Sequence, residues 1–151
     1  MFKRLTFACM LLAAGAAQAL DVEQAEKAAE IRQAVLEIAG WNTGPAAGMV
    51  KQRIPYDAER FQVYAERIAF SMTMIPDAFR TDTREFPLDT EALDVIWEEN
   101  EEFLERAADA QEKSAALATV AKSGDLEKVT EAFLEMGQAC KACHDKFRED
   151  D

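Results

Sequence analysis

The chain has 151 residues, of which 29 are Asp or Glu and 17 are Lys or Arg, so its formal net charge at pH 7 is −12. So acidic a chain disfavours nucleic acid and anionic membranes as partners, and its length fits one domain with a real core. β-branched clusters and short alternating runs of apolar residues are scarce, so we expect an all-α fold.

The N-terminal residues are typical of an export signal. Two basic residues precede a mostly apolar run over 5–14, which is too short to span a membrane, and Ala-Gln-Ala ending at Ala19 supplies a cleavage pattern. We therefore predict a signal peptide over 1–19 and a single mature domain over 20–151. Loss of the two basic residues changes the net charge to −14.

Apolar residues at spacings of three and four predict four helices joined by polar or irregular segments. We expect Asp57 and Thr90 to be the N-caps of the second and third helices, and Gly124 to end the third. Because only a short link separates the last two helices, they are antiparallel neighbours, and the set predicts an antiparallel four-helix bundle. The predicted helices cover about 22–39, 90–122 and 126–148, and the second begins at 58 and is ended or kinked by Pro76 in its last turn. The segment over 41–55 is predicted to be an irregular crossing with room for a short helical turn.

Near the C-terminus lies Cys140-Lys141-Ala142-Cys143-His144. In Cys-x-x-Cys-His, two thiols can form thioethers with the vinyl groups of one haem, and the adjacent imidazole can ligate its iron. Both cysteines belong to the apolar stripe of the fourth helix, and His144 follows one turn after Cys140. The stripe therefore directs the motif towards a core that could bury a flat, apolar group.

Other interpretations of the cysteine pair are a plain disulfide, the redox pair of a thioredoxin-like enzyme and a structural zinc site. A thioredoxin-like pair sits at a helix N-terminus after a strand, whereas this pair lies deep in a helical pattern. Structural zinc needs four ligands, and the predicted mature chain offers two cysteines and one histidine. Motif, helical face and export signal together favour haem c. The resemblance to c-type attachment sites implies a periplasmic location.

Arg32 interrupts the apolar stripe of the first helix. One interpretation is that its alkyl stem lies along the core while the charged end reaches solvent. The other is that its guanidinium pairs with a haem propionate, since the planar fork suits a carboxylate.

Several stretches resemble class II c-type cytochromes, and among them cytochrome c′. The order of the motifs excludes the ordinary small cytochrome c, which carries its haem motif near the N-terminus. The resemblance covers essentially the whole mature chain. The stretches that carry it are 31–36, 55–58, 96–97, 123–126 and 140–148.

This resemblance implies one covalent haem c attached through Cys140 and Cys143, with His144 as the proximal iron ligand. Leu36 matches the distal residue of the family. Arg148 matches its proximal arginine, although a solvated cation at the end of the helix is the alternative. No second histidine exists, and the predicted first helix has no methionine, which is the sixth ligand that low-spin relatives carry there. We expect a pentacoordinate iron under an apolar distal face.

Such a site favours binding of nitric oxide and carbon monoxide, because it lacks the hydrogen-bond donors that stabilise bound O₂. Electron transfer with a redox partner protein is a second role, and a low-spin carrier with a methionine ligand is the alternative identity. We do not expect an enzyme, since no distal histidine is present to act as acid or base. Helices one and two carry apolar residues off their main stripes, and these residues, together with the resemblance, predict a homodimer. They include Ile31, Ile38, Val63 and Phe70.

Overall fold

The computed structural model describes residues 20–149, so the predicted signal peptide over 1–19 lies outside the described residues. Within them the regular elements are helices, and an isolated β-bridge joins Ala92 to Arg148. None of these helices is both long and apolar enough to cross a membrane. The helices are α1 Val22–Val50, α2 Ala58–Thr73, α3 Ile75–Ala78, α4 Val95–Glu98, α5 Asn100–Ala121 and α6 Leu126–Phe147.

The four long helices α1, α2, α5 and α6 form the bundle, in which α1 packs on α2, α2 on α5 and α5 on α6. Their buried side chains fall into two clusters along the bundle axis. The Phe103 cluster includes Val35, Ala39, Met72, Phe79, Phe103, Ala139 and Phe147. The Phe61 cluster includes Ala46, Met49, Phe61, Ile68, Leu117, Phe133 and Met136.

The order in which each helix crosses these clusters gives its direction. Helices α1 and α5 pass from the Phe103 cluster to the Phe61 cluster, whereas α2 and α6 pass the opposite way. Neighbouring helices therefore alternate in direction, and the predicted antiparallel four-helix bundle is confirmed.

Helix α1 is longer than the sequence pattern predicted, because it continues through Gly40, Gly44 and Pro45 to Val50. Proline has no N–H to donate to the carbonyl one turn earlier, which normally weakens a helix. Here Ala46 and Met49 are buried in the Phe61 cluster, and this tertiary packing outweighs the weak local propensity. The irregular crossing predicted over 41–55 is therefore mostly helix.

The predicted helix ends at Asp57 and Gly124 are observed, and Asp125 is a further N-cap. The Asp57 side chain accepts a hydrogen bond from the N–H of Arg60, and the Asp125 side chain accepts from the N–H of Lys128. Gly124 has a φ of 67°, a left-handed conformation that glycine adopts without strain, and it separates α5 from α6.

The predicted start of the third helix at Thr90 is wrong. Its hydroxyl accepts from the N–H of Ala92 within the loop, and helical structure begins only with α4 at Val95 and continues as α5 from Asn100. Pro76 lies in the first turn of the short α3, where a missing N–H is tolerated, so α2 ends before it at Thr73. The loop over 79–94 that separates α3 from α4 contributes to the site described next.

Candidate functional site

Helix α6 carries the Cys-x-x-Cys-His motif at the junction of the two core clusters. Cys140 packs against the Phe61 cluster and Cys143 against the Phe103 cluster, and both are partly buried free thiols. His144 is exposed and follows Cys140 by one helical turn. The motif thus holds two thiols and one imidazole along one side of a rigid helix, and helix geometry alone brings them together.

Burial raises the pKa of both thiols. The pKa of Cys143 is raised to about 11, first by desolvation and then by the neighbouring Cys140, while Arg106 partly opposes the shift. Desolvation also raises the pKa of Cys140. Redox-active Cys-x-x-Cys pairs show the opposite shift, since they depend on a stabilised thiolate. This environment disfavours a thioredoxin-like pair and suits two thiols that become covalently attached to an apolar group.

The environment of His144 favours the neutral imidazole. Although the residue as a whole is exposed, neighbouring groups remove part of its solvent, and this desolvation is the largest cause of a lowered pKa. Arg148 lowers the pKa further, whereas Asp145 and Glu91 oppose the shift. A neutral imidazole is the form that ligates a metal. In the described part of the chain no three Asp, Glu, Cys or His side chains are grouped as a metal site.

Arg148 lies at the C-terminal end of α6, close enough to His144 to affect its pKa. Its Nε is 2.7 Å from Oε2 of Glu91, and its N–H donates to the His144 carbonyl at 3.1 Å. Backbone hydrogen bonds from Leu93 to Phe147 and from Glu149 to Glu91 tie the same loop to the helix end. Arg148 is therefore held against the loop over 79–94 rather than extended into solvent.

Arg32 on α1 is buried, with 2% of its surface exposed. Its Nη2 donates to the Thr83 hydroxyl at 2.9 Å, and its guanidinium carbon lies 5.5 Å and 5.1 Å from the ring centres of Phe79 and Trp97. The Trp97 indole is itself fixed, because its Nε1 donates to the Phe79 carbonyl at 3.1 Å. The interpretation in which Arg32 reaches solvent is wrong, because the helix register directs its charged end into this aromatic cage.

Two nitrogens of this buried guanidinium, Nε and Nη1, have no hydrogen-bond partner in the described structure. Desolvation lowers the pKa of Arg32, and Asp82 only partly opposes the shift. Asp82 is engaged elsewhere, since its carboxylate accepts from Nε and Nη2 of Arg84 at 3.0 and 2.7 Å. No carboxylate among residues 20–149 forms an ion pair with Arg32.

A buried cation with two unused donors requires an acceptor, and a propionate carboxylate matches those donors in charge and geometry. The thiols, the imidazole and the unpaired Arg32 donors are thus the groups that a haem c needs. Because two buried donors of Arg32 have no partner in the described part of the chain, the residues present fit a haem c.

Leu36 lies one helical turn after Arg32. Its neighbours Val35 and Ala39 are buried in the Phe103 cluster, whereas Leu36 is 39% exposed. A leucine beside a buried, unpaired cation is therefore available to contact a further apolar group.

The four methionines among residues 20–149 fall into two groups. Met49, which the extended α1 includes, and Met136 are buried in the Phe61 cluster. Met72 belongs to the Phe103 cluster, and Met74 is partly buried against it. Cys143 packs against the Phe103 cluster and Cys140 against the Phe61 cluster, so each half of the haem motif has methionines in the core cluster beside it.

Sequence reasoning missed Thr83 and the contact between Glu91 and Arg148. Thr83 is 51 residues from Arg32 and lies in a loop without helical periodicity, so no local pattern indicated that its hydroxyl meets the guanidinium. A cleft of about 370 Å³ borders this region and is lined in part by Thr83, Leu93 and Trp97. The cleft runs from Thr83 and Trp97, which contact Arg32, to Glu149, which follows the end of α6.

Comparisons with known proteins agree with this geometry. The sequence profile of the family described as Cytochrome C' matches residues 27–148. Cytochrome c' from Pararhodospirillum photometricum is 34% identical over 120 residues, which are 80% of this chain and 94% of that protein.

Solved structures give the same result. Cytochrome c prime from Shewanella frigidimarina superposes with a TM-score of 0.80 at 33% identity, covering 86% of this chain and 100% of the other. A leucine-to-alanine variant of cytochrome c prime from Alcaligenes xylosoxidans, solved as a nitric oxide complex, gives a TM-score of 0.76 at 28% identity. That match covers 84% of this chain and 97% of the other.

Proposed function

Because the chain belongs to the cytochrome c′ family, whose members bind one covalent haem c, we propose that it is a periplasmic haem protein that binds nitric oxide and carbon monoxide. The observation that carries this proposal is that α1 presents Leu36, and neither histidine nor methionine, one turn after the buried Arg32. The nitric oxide complex of a related protein supports the same class of ligand.

Cys140 and Cys143 are the proposed thioether residues and His144 the proposed proximal ligand. The haem would supply an iron with a vacant sixth position, to which a small uncharged gas can bind. The rigid α6 helix presents the three side chains together, and the lowered pKa of His144 keeps its imidazole neutral at pH 7. Arg32 is the proposed partner of a propionate, since its Nε and Nη1 are buried and unpaired.

Leu36 is the proposed distal residue. An aliphatic side chain offers no ligand to iron and no hydrogen bond to a bound diatomic molecule, so it disfavours O₂ relative to nitric oxide and carbon monoxide. It also occupies space, and if the haem covers Leu36, displacing its side chain would cost about 1–3 kcal/mol, as other overpacked sites do. Leu36 therefore selects for gases that bind ferrous iron tightly enough to offset this cost.

Arg148 is the proposed proximal arginine. Its proximity to His144 and its 2.7 Å contact with Glu91 support a position beside the proximal ligand. There it favours the neutral imidazole. Since it is fixed by the loop, the solvated helix-end cation is the weaker interpretation.

A second candidate function is electron transfer with a basic redox partner, which the net charge of −12 would attract. A low-spin carrier would need a methionine ligand. Met136 is disfavoured because it precedes Cys140 by one turn on α6, the helix that also carries His144, so the candidates are Met49, Met72 and Met74. Nitric oxide complexes among the related structures favour the gas-binding function over this alternative. We propose no enzymatic role, because the chain has no second histidine for acid–base work.

We also propose a homodimer formed through α1 and α2. All four residues predicted from the sequence are exposed in the structure, and Phe70 is the most exposed of them at 67%. Trp41 on α1 is also apolar and is 80% exposed. A second copy of the chain would cover these side chains. The four residues are Ile31, Ile38, Val63 and Phe70.

Absorption spectra of the purified haem protein test the function most directly. We expect high-spin ferrous and ferric spectra near neutral pH, and a new ferrous spectrum on titration with nitric oxide or carbon monoxide. A low-spin ferrous spectrum that neither gas changes would contradict gas binding and favour the electron carrier. Reduction by a basic redox partner, measured against salt concentration, tests the second function separately.

A further inference from the structure

We propose that Thr83 is the positioning residue for Arg32, and that its hydroxyl orients the guanidinium so that Nε and Nη1 remain available to a haem propionate. This inference rests on the proposed pairing of Arg32 with the propionate and names what fixes the geometry of that pair. Thr83 lies in the loop over 79–94, outside the bundle helices, and yet it is only 4% exposed.

The aromatic cage by itself does not set the direction of the guanidinium. Attraction between a cation and a ring depends mainly on distance from the ring centre, so Phe79 and Trp97 hold the group in place but only weakly fix its orientation about the side-chain torsions. A hydrogen bond is directional. The 2.9 Å bond from Nη2 to the Thr83 hydroxyl therefore fixes the orientation in which Nη2 is hydrogen-bonded to the described part of the protein and Nε and Nη1 are not.

The loop around Thr83 also keeps the competing carboxylate occupied. Asp82 is close enough to affect Arg32, but Arg84 binds it through Nε and Nη2, and the Arg84 N–H donates to the same carboxylate at 3.1 Å. The N–H of Phe86 donates to the Thr83 carbonyl at 3.1 Å, which closes the turn. Thr83 thus reaches Arg32 as a neutral acceptor while the nearby anion is neutralised by another cation.

The consequence for the haem is electrostatic. A cation fixed beside a propionate disfavours the additional positive charge of ferric iron, and so raises the reduction potential. If the guanidinium rotates, its unused donors no longer face the carboxylate and part of this effect is lost. Thr83 therefore acts on the haem through Arg32, although we assign it no contact with the haem.

The test uses the haem-loaded protein and compares reduction potentials at constant pH and salt. Thr83→Val removes the hydroxyl at nearly constant volume, and we expect its potential to fall in the same direction as that of Arg32→Gln, but by less. Thr83→Ser keeps the hydroxyl and should restore the original potential. The matched control is Thr81→Val in the same loop, since the described structure gives the Thr81 hydroxyl no hydrogen bond.

A double-mutant cycle separates positioning from an independent effect. In the Arg32→Gln background, Thr83→Val should cause no further fall in potential, because the group that it positions is gone. Additive shifts would overturn the proposal. If the valine variant does not fold or load haem, Thr83→Ala, which introduces no new bulk, is measured in its place.

Two failures are distinguishable. A fall in Arg32→Gln with an unchanged potential in Thr83→Val would refute the role of Thr83 and leave the propionate partner in place. An unchanged potential in Arg32→Gln would refute the proposed role of Arg32 itself, and the positioning role with it.

Discussion

Replacement of Leu36 by alanine tests the proposed distal site. Leu36 is 39% exposed, whereas Val35 and Ala39 on the same helix are buried, so the truncation removes atoms that the protein by itself buries only in part. If Leu36 covers the sixth position of the iron, an incoming ligand must displace it, and alanine relieves that displacement. Relief of about 1.4 kcal/mol corresponds to a tenfold gain in carbon monoxide affinity.

The same change should lower the stability of the haem-bound protein. Full burial of a leucine contributes about 1.5–3 kcal/mol, and Leu36 keeps part of its surface exposed, so we expect a loss of roughly 1–3 kcal/mol. Carbon monoxide titration of the ferrous protein and denaturant unfolding measure the two effects. Water entering the space is expected to change the ferric spectrum as well.

Leu104→Ala on α5 is the matched control, because Leu104 is 41% exposed and lies outside the buried stripe of its helix. It should leave ligand affinity unchanged. Unchanged affinity and spectra in Leu36→Ala would refute the distal position of Leu36, and with it the alignment of α1 on which that position depends.

Four further predictions concern the haem, its ligands, the dimer and the core. The intact mass should equal residues 20–151 plus one haem that acid–acetone does not extract, and extractable haem would contradict thioether attachment. Met49→Leu, Met72→Leu and Met74→Leu, made singly, should leave the ferrous high-spin spectrum unchanged, whereas a low-spin spectrum lost in any one variant would identify that methionine as a ligand. Sedimentation at micromolar concentration should show a dimer that Phe70→Asp weakens, and a wild-type monomer would exclude the proposed interface. Asn42→Leu should raise the free energy of unfolding by about 1 kcal/mol, because removal of the buried Oδ1, which has no partner in the described structure, outweighs loss of the 2.8 Å bond from Nδ2 to the Ile38 carbonyl, and a loss of stability would contradict this.

The sequence by itself determined the fold class and the chemistry of the attachment motif. Cys140, Cys143 and His144 lie within five residues of one helix, so helical periodicity was enough to place them on one side of it. Helix ends at Asp57 and Gly124 were also predictable, because capping and left-handed turns depend on a few adjacent residues. The resemblance to cytochrome c′ rested on the same short stretches, and the family match confirms it.

Tertiary structure decided the features that depend on residues distant in the chain. The sequence left Arg32 with two interpretations, and only the approach of Phe79, Thr83 and Trp97 showed a buried guanidinium with two unused nitrogens. The continuation of α1 past Gly40 likewise depended on packing in the Phe61 cluster, which local propensity does not contain. Hydrogen bonding and burial across a bundle are set by which helices and loops meet, and that information is non-local.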